Sequence, residues 1–126
     1  MTKYVYSESE TNHVSKYGID LKLYGSVGES IDFSRVHVEE GHYEEFKNTS
    51  WFIYHILDGD GMFVLNDERT AVKKGDVVAV PPGTRIHYFG KLEMTLIVTP
   101  PWKAENETHI RDVDRSENPL LESPAE

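Results

Sequence analysis

A chain of 126 residues with 38% hydrophobic content is the size of one domain with a real core. Thirteen basic against 22 acidic residues give a formal charge of −9, which argues against nucleic acid and anionic membranes as partners. The absence of cysteine excludes disulfides, thiolate ligands and a thiol nucleophile, and fits a reducing, cytoplasmic setting. From the polar start at residues 1–6 no signal peptide is expected, and no apolar run approaches membrane-spanning length.

Residues 1–16 are polar and carry little pattern. From Tyr17 to Tyr24 apolar and polar residues alternate, as in a half-buried strand. Ser26 to Ser30 reads as a turn and Ile31 to Val38 as another strand. Glu39 to Ser50 is polar and reads mostly as a loop. Trp51 to Leu57 is aromatic and β-branched throughout, which suggests a strand covered on both faces. Asp58-Gly-Asp-Gly then reads as a turn, with Met62 to Leu65 as the hairpin partner. Asn66 to Arg69 is the next turn, Thr70 to Val72 a short strand and Lys74 to Asp76 a further turn. Val77 to Val80 is apolar without alternation, so burial on both faces is expected, and Pro81-Pro82-Gly83 ends it. Arg85 to Phe89 and Leu92 to Val98 close the series. The tail, residues 103–126, holds three basic and seven acidic residues, with a short helix expected near Glu105 to Arg111 and a mobile last dozen residues.

Turns that recur about every 8–12 residues between short strands describe an all-β sandwich or closed barrel. The chain divides into a barrel over residues 1–102 and an acidic tail over 103–126.

Two segments carry a family resemblance. Ile56-Leu57-Asp58-Gly59-Asp60-Gly61 is similar to the cupin pattern V-L-E-G-x-G. Gly75-Asp76, four strand residues and Pro81-Pro82-Gly83-Thr84 resemble the cupin pattern G-D-x4-P-x-G-T. The resemblance covers roughly the middle third of the chain. It implies a double-stranded β-helix, the jelly-roll barrel of the cupin superfamily, commonly with a divalent metal inside. In the family two histidines of an H-x-H pair, a glutamate and a third histidine hold that metal, all pointing into the barrel.

Placed on this sequence from Gly59, the glutamate position holds Phe52. The H-x-H pair falls on Glu45 and Lys47, or one residue later on Phe46 and Asn48. Three residues after Gly83 stands Ile86, with His87 next. None of these is the family ligand, so no metal and no other cofactor is expected. A one-residue bulge after Gly83 would turn His87 inward; a recruited set of His42, His87 and a carboxylate such as Glu44 is the alternative route to a metal.

In the plain register Phe52, Tyr54, Ile86 and Tyr88 face the lumen. Tyr54 and Tyr88 carry hydroxyls that want partners when buried. Arg35, inside an apolar strand pattern, is either on a solvated face or a lumenal cation. The candidate ligand contacts are therefore Tyr54, Tyr88, His87, Phe52 and Arg35. The expected function is binding of a small polar or sugar-like molecule in the barrel without a full metal site. The alternative is a metal-dependent cupin enzyme (dioxygenase, isomerase or lyase) with an atypical ligand set. Single-domain cupins resemble one another in pairing, and Trp51, Ile53 and His55 would point outward, so a homodimer is expected.

Overall fold

The structure, a computed structural model, describes residues 2–121. Nine strands appear among these residues: β1 (Asn12–Lys16), β2 (Ile19–Ser26), β3 (Asp32–Val38), β4 (Gly41–Asn48), β5 (Trp51–Leu65), β6 (Glu68–Lys73), β7 (Val77–Val80), β8 (Ile86–Thr99) and β9 (Glu107–Asp112). Short 3-10 turns cover Glu8–Glu10, Ala104–Asn106 and Arg115–Glu117.

The architecture rests on two long strands. β5 and β8 pair antiparallel from Trp51↔Thr99 to Leu65↔Ile86, with one register shift between Ile56 and Asp58. β8 gives its second half, Leu92 to Val98, to β3 and its first half to β4. β5 gives its first half to β7 and its second half to β6. The ribbon thus feeds two curved sheets, β1-β2-β3-β8-β5-β7 and β6-β5-β8-β4-β9, which close over one core in a jelly-roll barrel. Val36, Val38, Ile56, Phe63, Ile86, Leu92 and Met94 are almost fully buried between them.

Several sequence expectations change here. Asp58 to Gly61 is not a hairpin turn, and Met62 to Leu65 continues the same strand. A Cβ on Gly59 would stand 2.0 Å from the Lys91 carbonyl oxygen, and one on Gly61 would stand 2.2 Å from that of Phe89. These glycines let two backbones cross closely; they do not reverse the chain. Likewise Arg85 to Phe89 and Leu92 to Val98 are parts of one strand that bends at Gly90. Val77 to Val80 is not covered on both faces: Val80 is buried, whereas Val77 is 61% exposed. The segment taken as unpatterned contains β1, paired to β2. The segment read as a loop, Glu39 to Ser50, contains β4, whose inward positions carry polar side chains and so lack an apolar alternation. The short helix expected near Glu105 to Arg111 is instead β9, hydrogen-bonded to β4. The following turn docks through Arg115 on Glu40. Of the last dozen residues, expected to be mobile, 122–126 lie outside the described residues.

Candidate functional site

The barrel encloses a cavity of about 310 Å³ open at one end. Its walls come from period-2 alternation on several strands. β4 contributes His42, Glu44 and Phe46; β5 contributes Phe52 and Tyr54; β8 contributes Tyr88, Leu96 and Val98. The first three strands supply an apolar side through Val14, Ile19, Leu21 and Val36. Tyr88 stacks on Phe63 with ring centroids 4.7 Å apart, and Tyr54 meets Phe63 edge-on at 5.2 Å, so aromatic rings close the floor.

His42 is a polar group within the interior. It is 2% exposed, and neither ring nitrogen has a hydrogen-bond partner. Its ring lies 5.0 Å from that of Tyr88. Burial, followed by the charges of Lys16 and His87, pushes the imidazole down to about 3. It is therefore neutral at ordinary pH and offers a lone pair to the cavity. Burial also raises both phenols, Tyr54 and Tyr88, so they keep their protons. Glu44 stands beside His42, with Oε1 at 3.6 Å from Nε2.

The mouth is polar. Lys16 Nζ lies 4.0 Å from Glu107 Oε2 and 5.9 Å from the centre of the Trp102 ring. Trp102 Nε1 donates to Glu107 Oε1 at 2.9 Å, and Asn48 Nδ2 donates to the same oxygen at 3.4 Å. The chain thus presents an imidazole and a carboxylate deep inside, two phenols beside them, and an ammonium–carboxylate–indole group at the entrance. An unpartnered buried imidazole beside an aromatic floor is unusual in a merely packed core, where buried polar atoms find partners.

The structure brings Phe52, Tyr54 and Tyr88 together in this cavity and leaves two sequence candidates out of it. His87 follows the plain register and points to the outer face, where its Nδ1 is 3.9 Å from Glu45 beside Arg111. Arg35 lies on the outer face of β3 and pairs with Glu93 at 3.1 Å. His42, Glu44, Lys16, Trp102 and Glu107 were not among the candidates for ligand contact. The signal for the first two was the alternation His42, Glu44, Phe46, Asn48, which keeps one face of β4 inward.

The family metal does not fit these residues. Phe52 and Ile86 point inward where ligands would be needed, Glu45 turns outward to Arg85 and Arg111, and Phe46 offers only carbon. The alternative set fails because His42 and His87 lie on opposite faces of the sheet. Among the described residues no group of three or more histidines or carboxylates is placed to hold a metal ion.

No family model matches the chain. Among solved structures, it is similar to Pac13, described as a unique nucleoside dehydratase, with TM-score 0.90 and 44% identity over 94% of this chain and 100% of that one. It is equally similar to Streptomyces Pac13 with uridine, in a histidine-to-glutamine variant at 43% identity over 94% of this chain and 100% of that one, TM-score 0.90. Oxalate decarboxylase from Bacillus subtilis shares the fold, with TM-score 0.78 and 13% identity over 87% of this chain and 32% of that one. A curated relative, an uncharacterized protein of Methanocaldococcus jannaschii, is 37% identical over 62 residues, and the match spans 46% of this chain and half of the relative's length.

Proposed function

The chain belongs to the cupin superfamily, and on that premise we propose that it binds a nucleoside in the barrel and removes water from it with its own side chains. The observation that carries this reading is the buried, neutral and unpartnered imidazole of His42 in a cavity of about 310 Å³. The likeness to Pac13 over nearly the whole chain supports the ligand class.

Dehydration breaks one C–H bond and a neighbouring C–O bond and forms a C=C bond and water. His42 accepts the proton from a carbon whose C–H is acidified by a neighbouring carbonyl of the substrate; burial weakens the ring as a base but keeps it neutral, with a free lone pair. Tyr54 and Tyr88 donate hydrogen bonds to sugar oxygens and orient the ring. Lys16 at the entrance supplies the proton that leaves with the hydroxyl, and Trp102 offers a face for the base to stack on. Phe52 and Leu96 exclude water from the reacting carbons. The pairing expected from the sequence belongs here as well: a homodimer would use the outer face around Trp51 and Val77.

The test is a mass-spectrometric screen of nucleosides for loss of one water. A product from the wild-type protein that His42→Gln fails to make, by about 100-fold or more, supports the reading. Turnover unchanged in His42→Gln would refute it.

A further inference from the structure

Glu44 and Glu45 are neighbours on β4, yet both are buried and they face opposite sides of the sheet. β9 supplies a partner to each. Its register shifts by one residue, with Arg111 opposite Glu45 and His109 opposite Phe46, so that Ile110 is left over. That bulge turns Arg111 outward to Glu45, with Nε at 3.0 Å from Oε1, and His109 to the cavity side. His109 Nδ1 lies 2.8 Å from Glu44 Oε2, and its other nitrogen, Nε2, lies 3.2 Å from Asp112 Oδ1. The His109 ring stacks on Tyr17 and is 44% exposed in its side chain.

The result is a row of side chains from the cavity to solvent with one gap in it, between His42 and Glu44. His42 Nε2 is 3.6 Å from one oxygen of Glu44, the other oxygen is bonded to His109, and His109 reaches water beside Asp112. The first gap is longer than a hydrogen bond and too short for a bridging water, so a small side-chain rotation must close it.

We propose that Glu44 and His109 form a proton relay that returns His42 to its neutral form by passing the proton it collects out to solvent. The proposal rests on the reading of His42 as the base. After elimination the proton stands on His42 Nε2. The N–H bond breaks and an O–H bond forms on Glu44 Oε1. At rest His109 donates Nδ1–H to Glu44 Oε2; once Glu44 is protonated, His109 exchanges through solvent to its Nε2–H tautomer, and a half-turn of the carboxyl group then carries the proton to the freed Nδ1, where an N–H bond replaces the O–H bond. His109 then releases the proton on Nε2 to water. His42 ends neutral, Glu44 ends as a carboxylate, and one proton is in solvent; no oxidant or reductant takes part. The groups that face this line are Tyr17 and Lys16 from the first hairpin, Tyr88 from β8, and Glu107 and Asp112 from β9. Without such a path the base would have to lose its proton back through the occupied cavity.

The test uses the full chain labelled with nitrogen-15 histidine and needs no substrate, so it stands apart from the dehydration assay. Solvent exchange of the His42 ring N–H is measured by magnetisation transfer from water at pH 7. His109→Gln keeps a hydrogen-bond donor to Glu44 but cannot pass a proton on. The expected result is exchange slowed by about tenfold or more in His109→Gln, with the backbone spectrum otherwise unchanged. Glu44→Gln, if it folds, slows it equally. Exchange at the wild-type rate in His109→Gln would overturn the proposal, because the His42 proton would then leave through cavity water. Absence of nucleoside turnover with slowed exchange in His109→Gln would leave the relay standing and remove only the reaction it serves.

Discussion

His42 shows how one residue can make stability and chemistry depend on the same proton. Its folded value is depressed from 6.5 to about 3 by burial. Between those values the unfolded chain binds a proton that the folded chain refuses, so stability is full above pH 6.5 and is lost as pH falls towards 3. The whole loss is on the order of 4–5 kcal/mol, from the size of the shift. Thermal melts from pH 7 down to pH 4 should therefore show a steep fall in Tm for the wild type and a shallower one for His42→Gln. Parallel curves for the two proteins would show that the imidazole is not held neutral. The same depression predicts that the acid limb of kcat/KM lies well below the ordinary histidine value. At this scale the sequence was legible where side chains are apolar or aromatic. Phe52, Tyr54 and Tyr88 sit on strands whose alternation shows their facing. His42 and Glu44 were not legible as a site, because a polar inward face on β4 looks like a loop. Lys16 and Glu107 meet only through the closed fold, 91 positions apart in sequence but within 4.0 Å in space.

Among the elements, the crossing of β5 and β8 is where the chain has least freedom. Gly59 combines φ +89° with a neighbouring carbonyl oxygen that a Cβ would strike at 2.0 Å. Gly75 has a similar φ of +94° but nothing within 4 Å of a built Cβ. Gly75→Ala should thus cost about 1 kcal/mol from backbone strain alone. Gly59→Ala should cost more than about 3 kcal/mol, because backbone must shift as well. Urea unfolding of both variants checks this; equal losses would mean that the close passage is not what holds Gly59 in place. The crossing also explains why the two long strands read as four short ones. Glycines and an acidic run at 58–61 carry every mark of a hairpin turn, and only the register along β8 shows that the chain continues. Turn chemistry and close approach require the same residue, and local pattern does not separate them. Val77 and Ala79 were misjudged for a related reason: an apolar run shows which residues avoid water in a half-buried strand only when its other face is polar.

For the whole molecule, the outer face of β5 and β7 leaves apolar side chains uncovered among the described residues. Trp51 is 42% and Val77 61% exposed on adjacent strands, with Ala79 beside them. The homodimer expected from the sequence needs this face. Light scattering at micromolar concentration should give twice the 14.4 kDa chain mass if the face is paired. A mass of one chain would remove the dimer. The barrel was legible as a whole from its turn spacing and its Gly-Asp and Pro-Pro-Gly segments. Its closing strand β9 was not, because an acidic segment with two prolines beyond it shows no strand pattern until β4 is there to pair with it. The proposed nucleoside site lies inside the barrel around His42. Uridine titrated into the labelled protein and followed by NMR tests it most directly. The account predicts saturable shifts at the His42, Tyr54, Tyr88 and Trp102 rings, with His87 and His55 on the outer face unmoved. Shifts confined to His87 and its neighbours, with the cavity rings silent, would contradict it.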